Sequence, residues 1–289
     1  MKPFLGIDLT TDKKNEQFNG EELVVSRPDP SLTQSFESSS ETAEKAIEKS
    51  KLPLPIRIGR WICGAIGVLV VCGILGALGG EDSVSLEKAY QNAPWLFWLD
   101  GACLVAWAIL TLIGRRKEKT VLESEESEHA FHTFDKTCKA ILADLSVPED
   151  AKEIDVLSFF YKEKGDEIKV ETKGLQLAPY MNPIFHAFAD AENLYLANLE
   201  GKYAIPLSSL KGIRSKKKTI LILGWNKDEP FNEGAYKQYK LSTNDAGCLI
   251  CKGYHILEFE KDSRAWGIYF PCYELPVIEE LTGLKAEPF

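Results

Sequence analysis

The sequence predicts a two-helix transmembrane hairpin joined to a mostly antiparallel β (α+β) cytoplasmic domain with a C-terminal helix. Three observations carry this. Two apolar stretches stand in the first half of the chain: Trp61 to Gly80 has no charged residue, and Ala93 to Gly114 has only Asp100. At ~1.5 Å of rise per residue, each is long enough to cross a hydrocarbon core of ~30 Å. From Ile154 onward apolar residues recur at every second position, the period of half-buried strands. The run Glu274 to Leu281, stopped by Gly283, then has the marks of a short closing helix.

Residues 1–50 read as a polar N-terminal tail. Phe4, Gly6, Asp8 and Thr10 alternate with Leu5, Ile7 and Leu9, and Glu22 to Ser26 offers a second strand-like pattern. A peptide that docks on a sheet is one reading, and a mobile tail is the preferred one on composition. Met1 to Thr10 has no continuous apolar core and no small-residue cleavage site, so it does not read as a secretory signal. Ser31 to Ser50, rich in Ser, Glu and Thr, reads as a linker whose last part extends the first span.

The first span is placed at 57–80 and the second at 93–114, with 81–92 as a short external loop. Lys45, Lys49, Lys51, Arg57 and Arg60 precede the first span, and Arg115, Arg116, Lys117 and Lys119 follow the second. The loop offers only Lys88 against Glu81, Asp82 and Glu87. Both termini are therefore expected in the cytoplasm of a multi-pass cell-membrane protein. Trp61, Trp95 and Trp98 match interfacial aromatic belts. Cys72, Gly76 and Gly80 recur every four residues, as do Gly73 and Ala77. Small residues at that spacing let helices approach closely, so the stripe is expected to meet Ala102 and Ala106 of the second span or a second copy of the protein.

Asp100 is the intramembrane polar candidate. Counting back from the hairpin turn places it level with Cys72 and Gly73. A carboxylate at that depth needs water, a partner or a proton. It reads either as an ion-sensing or partner-binding group of a membrane complex, or as a side chain reaching the outer surface beside Trp98.

After the second span, residues 120–146 form an amphipathic linker helix: Ala130, Phe131, Phe134, Cys138, Ile141, Leu142 and Leu145 share one face. His129 and His132, with Glu126, fall on its solvated face, because no other helix supplies matching metal ligands. The domain is placed at 150–289. Its candidate strands are Ile154 to Tyr161, Glu167 to Thr172, Phe185 to Asp190, Asn193 to Leu199, Lys202 to Leu207, Thr219 to Trp225, Tyr254 to Glu260 and Ala265 to Phe270, with tight turns at Glu200-Gly201 and Lys261-Asp262-Ser263.

Two sets of residues in the domain carry chemistry. Lys211, Arg214, Lys216, Lys217 and Lys218 make a dense basic run, expected at a turn, that would attract anionic lipid. Cys248 and Cys251 have the two-residue gap of a zinc knuckle, with His255 and Cys272 as further ligands; structural cysteines in a reducing compartment are the simpler account. The formal net charge of -9 argues against nucleic acid as a partner. There is no phosphate-binding glycine loop, nucleophile elbow or His-Glu-x-x-His motif.

The run Asn193 to Ile213, with its turn at Glu200-Gly201 and the segment Ile205-Pro206-Leu207-Ser208-Ser209-Leu210, resembles the signature of bacterial pleckstrin-homology-like (PH-like) domains, including YcxB-like membrane proteins. Tyr254 to Gly283 resembles their last strands and closing helix. Two spans ahead of the domain are also usual in that family. Pro179 to Pro183 and Asn226 to Ala246 fall outside the pattern. The resemblance implies a non-catalytic binding or scaffolding module without a cofactor, contacting anionic lipid or a membrane-protein partner. The alternatives are a metal module at Cys248 and Cys251 and an accessory subunit that uses Asp100.

Overall fold

The computed structural model describes residues 6–8, 17–18, 20–79, 85–159, 161–164, 167–170, 172–173, 176–177, 179–181 and 183–286. The chain divides into two units, Gln34–Cys138 and Met1–Thr33 with Lys139–Phe289. The helices are α1 (Pro30–Ser50), α2 (Leu54–Gly79), α3 (Leu86–Asn92), α4 (Pro94–Leu122), α5 (Glu125–Asp144) and α6 (Leu275–Thr282).

In the helical unit, α2 and α4 are both long and apolar enough to cross a membrane, and only 6% of each apolar window is buried. A core helix of a water-soluble protein would hide such a window. Here Leu69 and Trp98 stand 72% and 73% exposed. The two helices run antiparallel over a seam of glycines: a Cβ on Gly64 would sit 3.0 Å from the Trp107 ring, and one on Gly67 would sit 2.8 Å from Leu104 Cδ2. Backbones approach there because nothing protrudes. The expected stripe is not at this seam. At Gly73 and Gly76 an added Cβ would meet nothing within 4 Å among the described residues, and Gly80 and the Ala77 side chain lie outside them. The part of the loop from Leu86 to Asn92 is helical, as α3.

The segment expected as a linker with a helical last part is helical throughout, as α1, and is separate from α2 rather than an extension of it. Pro53 closes the break between α1 and α2: its carbonyl accepts from the amides of Ile56 and Arg57 at 3.0 Å each. The predicted amphipathic helix is α5. Its apolar stripe is used: Ala130 is buried, and Phe134 meets Phe36 of α1 with ring centroids 5.5 Å apart. Ser124 caps its start, Oγ accepting from the Ser127 amide at 3.3 Å.

The other unit is built from sheets that are antiparallel except where Ile220–Ile222 pairs in parallel with Gln176–Leu177. In the first, the spatial order is Val24–Ser26, Gly201–Pro206, Asn193–Asn198, Ile184–Ala189 and Lys152–Asp155. In the second it is Leu210–Lys216, Tyr254–Lys261, Arg264–Pro271, Gly6–Asp8 and Gln17–Phe18. Both tight turns form where expected. Asn198 Oδ1 accepts from the amides of Glu200 and Gly201 at 2.9 and 3.1 Å. Asp262 and Ser263 take φ of 53° and 62°, the left-handed pair that a two-residue hairpin requires.

Alternation gives the second sheet two packed faces. Ile213, Leu257, Phe259, Ile268 and Phe270 join Ile154, Phe185, Leu194, Leu196, Tyr203 and Ile205 of the first sheet in the main core, closed by Ile278 of α6. Tyr254, Ile256 and Tyr269 point the other way, into a second core with Ile220, Ile222, Leu249, Cys251 and Cys272. That second core belongs to a small third sheet, ordered Ser242–Thr243, Leu249–Cys251, Ile220–Ile222, Gln176–Leu177 and Thr172–Lys173.

Two sequence expectations change here. Of the two readings of the N-terminal segment, docking on a sheet replaces the preferred mobile tail: Val24–Ser26 pairs with Gly201–Pro206, and Gly6–Asp8 with Arg264–Pro271. Leu23 beside it is buried in the main core. The basic run expected at a turn is mostly the strand Leu210–Lys216. Its apolar side chains against the core, Leu210 and Ile213, stand three positions apart rather than two, too little alternation to announce a strand.

Candidate functional site

Strand Leu210–Lys216 places the basic residues. Ile213 is buried in the core and Ser215 Oγ lies 3.0 Å from His255 Nδ1, so both are engaged inward. Two of the cations are neutralised on the neighbouring strand: Lys211 Nζ pairs with Glu260 Oε2 at 2.8 Å, and Arg214 pairs with Glu258. Lys216, Lys217 and Lys218 are exposed and form no ion pair with the described residues. The chain leaves the sheet among them. The Lys218 amide donates to the Lys216 carbonyl at 3.0 Å, a three-residue turn that carries three consecutive ammonium groups into solvent. The five cations therefore split into a paired set and a free set, which sequence alone did not separate.

The cysteines pair differently from the expected knuckle. Leu249–Cys251 is a strand with Leu249 and Cys251 inward, which puts Cys248, three residues from Cys251, outside that pair. The thiols that meet are Cys251 and Cys272, with sulfurs 3.2 Å apart. The hydrogen bond between them lowers Cys251 to about 7 and raises Cys272. His255 cannot join them, because it stacks on Phe270 on the opposite face of its strand. Burial pushes its imidazole down to about 4. Among the described residues no three His, Cys, Asp or Glu side chains come together to hold a metal ion.

A buried polar network lies beside the second core, and the sequence reading missed it. Asp155 Oδ2 accepts from Tyr273 Oη at 2.8 Å, and Oδ1 from Asn226 Nδ2 at 3.3 Å. Glu274 Oε1 accepts from the Asp155 amide at 2.8 Å and pairs with Lys227 Nζ at 2.7 Å. Lys227 also donates to the Glu153 carbonyl at 2.5 Å. Desolvation raises Glu274 to about 7, against the pull of Lys227. Trp225, Tyr236 and Tyr273 pack edge to face over this network. Together they pin the segment after Ile222 onto the sheets. The available signal was Asp155 itself, a lone charge inside Ile154-Asp155-Val156-Leu157.

Asp100 sits within the glycine seam and not level with Cys72 and Gly73. Its Oδ1 is 3.6 Å from where a Cβ on Gly67 would stand, and is buried without a hydrogen-bond partner among the described residues. The six-residue offset from Gly73 corresponds to ~9 Å along the helix axis. Counting from the turn failed because α2 continues past the start of α4 instead of ending level with it.

The chain matches no family model, no curated protein and no solved structure.

Proposed function

We propose that this protein is a membrane-anchored binding module that meets anionic lipid at the cytoplasmic surface through Lys216, Lys217 and Lys218. The observation that carries this reading is the three-lysine turn, exposed and left unpaired among the described residues while Lys211 and Arg214 are neutralised. Each lysine near an anionic surface adds ~1 kcal/mol of attraction. A domain continuous with two apolar helices is held at high local concentration, so this modest attraction suffices.

The element order supports a PH-like domain. Four antiparallel strands, Lys152–Asp155, Ile184–Ala189, Asn193–Asn198 and Gly201–Pro206, precede three, Leu210–Lys216, Tyr254–Lys261 and Arg264–Pro271, and then α6. Residues 157–183 and 217–253 are insertions in that order, and they supply the third sheet.

The test is hydrogen exchange on the full chain in lipid nanodiscs. Amides around 216–220 should exchange more slowly in discs containing phosphatidylglycerol than in pure phosphatidylcholine. Replacing Lys216, Lys217 and Lys218 by glutamate should erase the difference. Equal exchange in both lipids would refute the lipid reading and leave a protein partner for this face.

A further inference from the structure

We propose that the cavity at the foot of the helical hairpin binds the phosphate group of an anionic phospholipid. This site is separate from the lysine turn and rests only on the hairpin lying in a bilayer. The cavity, about 620 Å³, is formed within the helical unit by the end of α1, the first turns of α2 and the last turns of α4. That volume is within the range of ordinary small-molecule sites.

Its lining has two chemistries. Arg57, Arg60 and Arg115 line it from two helices, together with Lys51 and with Glu118 as its one carboxylate. None of the three arginines forms an ion pair with a described residue. Arg60 is drawn in beside the α4 backbone, Nη1 being 3.7 Å from where a Cβ on Gly114 would stand. Guanidinium groups fork onto phosphate oxygens, and their charge persists at any physiological pH. Trp61 and Trp107 supply the apolar wall, the amphipathic rings that settle at headgroup depth.

A second, independent observation points at a ligand. Thr111 lines the same cavity, and its Oγ1 is buried and has no hydrogen-bond partner among the described residues. A buried hydroxyl without a partner is unfavourable, and a phosphoryl oxygen would accept from it. A cationic mouth, an aromatic wall continuous with the lipid-facing surface and an unused hydroxyl suit a phosphodiester that carries acyl chains.

The same chemistry would receive a free phosphate ion, and the experiment separates the two. The full chain is purified in mild detergent, equilibrated with phosphatidylglycerol, phosphatidylcholine or inorganic phosphate, and analysed by native mass spectrometry. One phosphatidylglycerol should be retained in preference to phosphatidylcholine, and inorganic phosphate at equal concentration should not displace it. Arg57→Gln with Arg60→Gln and Arg115→Gln should weaken retention roughly tenfold or more. Thr111→Val, which removes a hydroxyl used by nothing else described, should weaken it while leaving helix content and melting unchanged, and it decides the matter if the triple variant does not insert. Replacing Lys216, Lys217 and Lys218 should leave retention intact, so failure of the lysine-turn reading is distinguishable from failure here. Equal retention of phosphatidylcholine, indifference to Thr111→Val, or displacement by inorganic phosphate would overturn the proposal.

Discussion

Glu274 and His255 titrate in opposite senses. Burial raises Glu274 from its ordinary 4.5 to about 7, so the folded state holds its proton more tightly than the unfolded chain does. Stability from this group is complete below pH 4.5 and is lost as pH rises through 7. Burial lowers His255 from 6.5 to about 4, so its contribution is complete above pH 6.5 and is lost as pH falls through 4. Each effect is worth up to roughly 3 kcal/mol, and the two slopes oppose one another where the windows overlap. The contributions of these two groups should therefore nearly cancel from pH 4.5 to 6.5. Glu274→Gln should leave stability rising with pH across that interval, and His255→Gln should leave it falling. Opening free energies from hydrogen exchange at several pH values, corrected for intrinsic rates, check both; a common slope in the two variants would contradict the assignment.

At the scale of elements, what could be read from the sequence depended on how far the period of the residues survived packing. Asn193–Asn198 largely alternates because one face is buried, Tyr254–Lys261 opens with a continuous buried run because both faces are, and the positions of both were legible. Leu210–Lys216 was not, because its outward positions are cations balanced by Glu258 and Glu260 on the adjacent strand, a pairing that only the register reveals. The candidate site was legible in the same measure: the lysines were visible as a run, but not the split into paired and unpaired sets. The hairpin shows the same limit. Small residues at four-residue spacing mark a face that can pack, without naming the partner, and the seam uses Gly64 and Gly67 instead. Gly67→Ile should therefore force α2 and α4 apart, whereas Gly76→Ile should leave the pair intact. Cysteine crosslinking across the seam in membranes measures this, and loss of crosslinking in both variants, or in neither, would place the seam elsewhere.

At the scale of the molecule, the chain closes its main core with residues from both ends. Leu23 enters that core from the N-terminal segment and Ile278 from α6, with 254 intervening residues, 24 to 277, that include both apolar helices. The sequence offered Glu22 to Ser26 as a strand-like pattern and docking on a sheet as one reading, but three residues, Val24–Ser26, carry too little pattern to name a partner strand so far along the chain. The contact is intimate: the Ser26 carbonyl lies 3.1 Å from where a Cβ on Gly201 would be, so a side chain there would push the strand back by a few tenths of an ångström, and Arg27 Nη1 reaches the Glu200 carbonyl at 3.2 Å. Leu23→Ala should cost ~2–5 kcal/mol, the range for a large-to-small change in a packed core. If the segment were a dispensable tail, the same change would cost under ~0.5 kcal/mol, the ordinary effect of a surface substitution. The measurement is the opening free energy of the most protected amides in Tyr254–Lys261. These belong to the second sheet rather than to the strand Leu23 adjoins, so a loss there means that the N-terminal residue stabilises the whole core and not only its own edge.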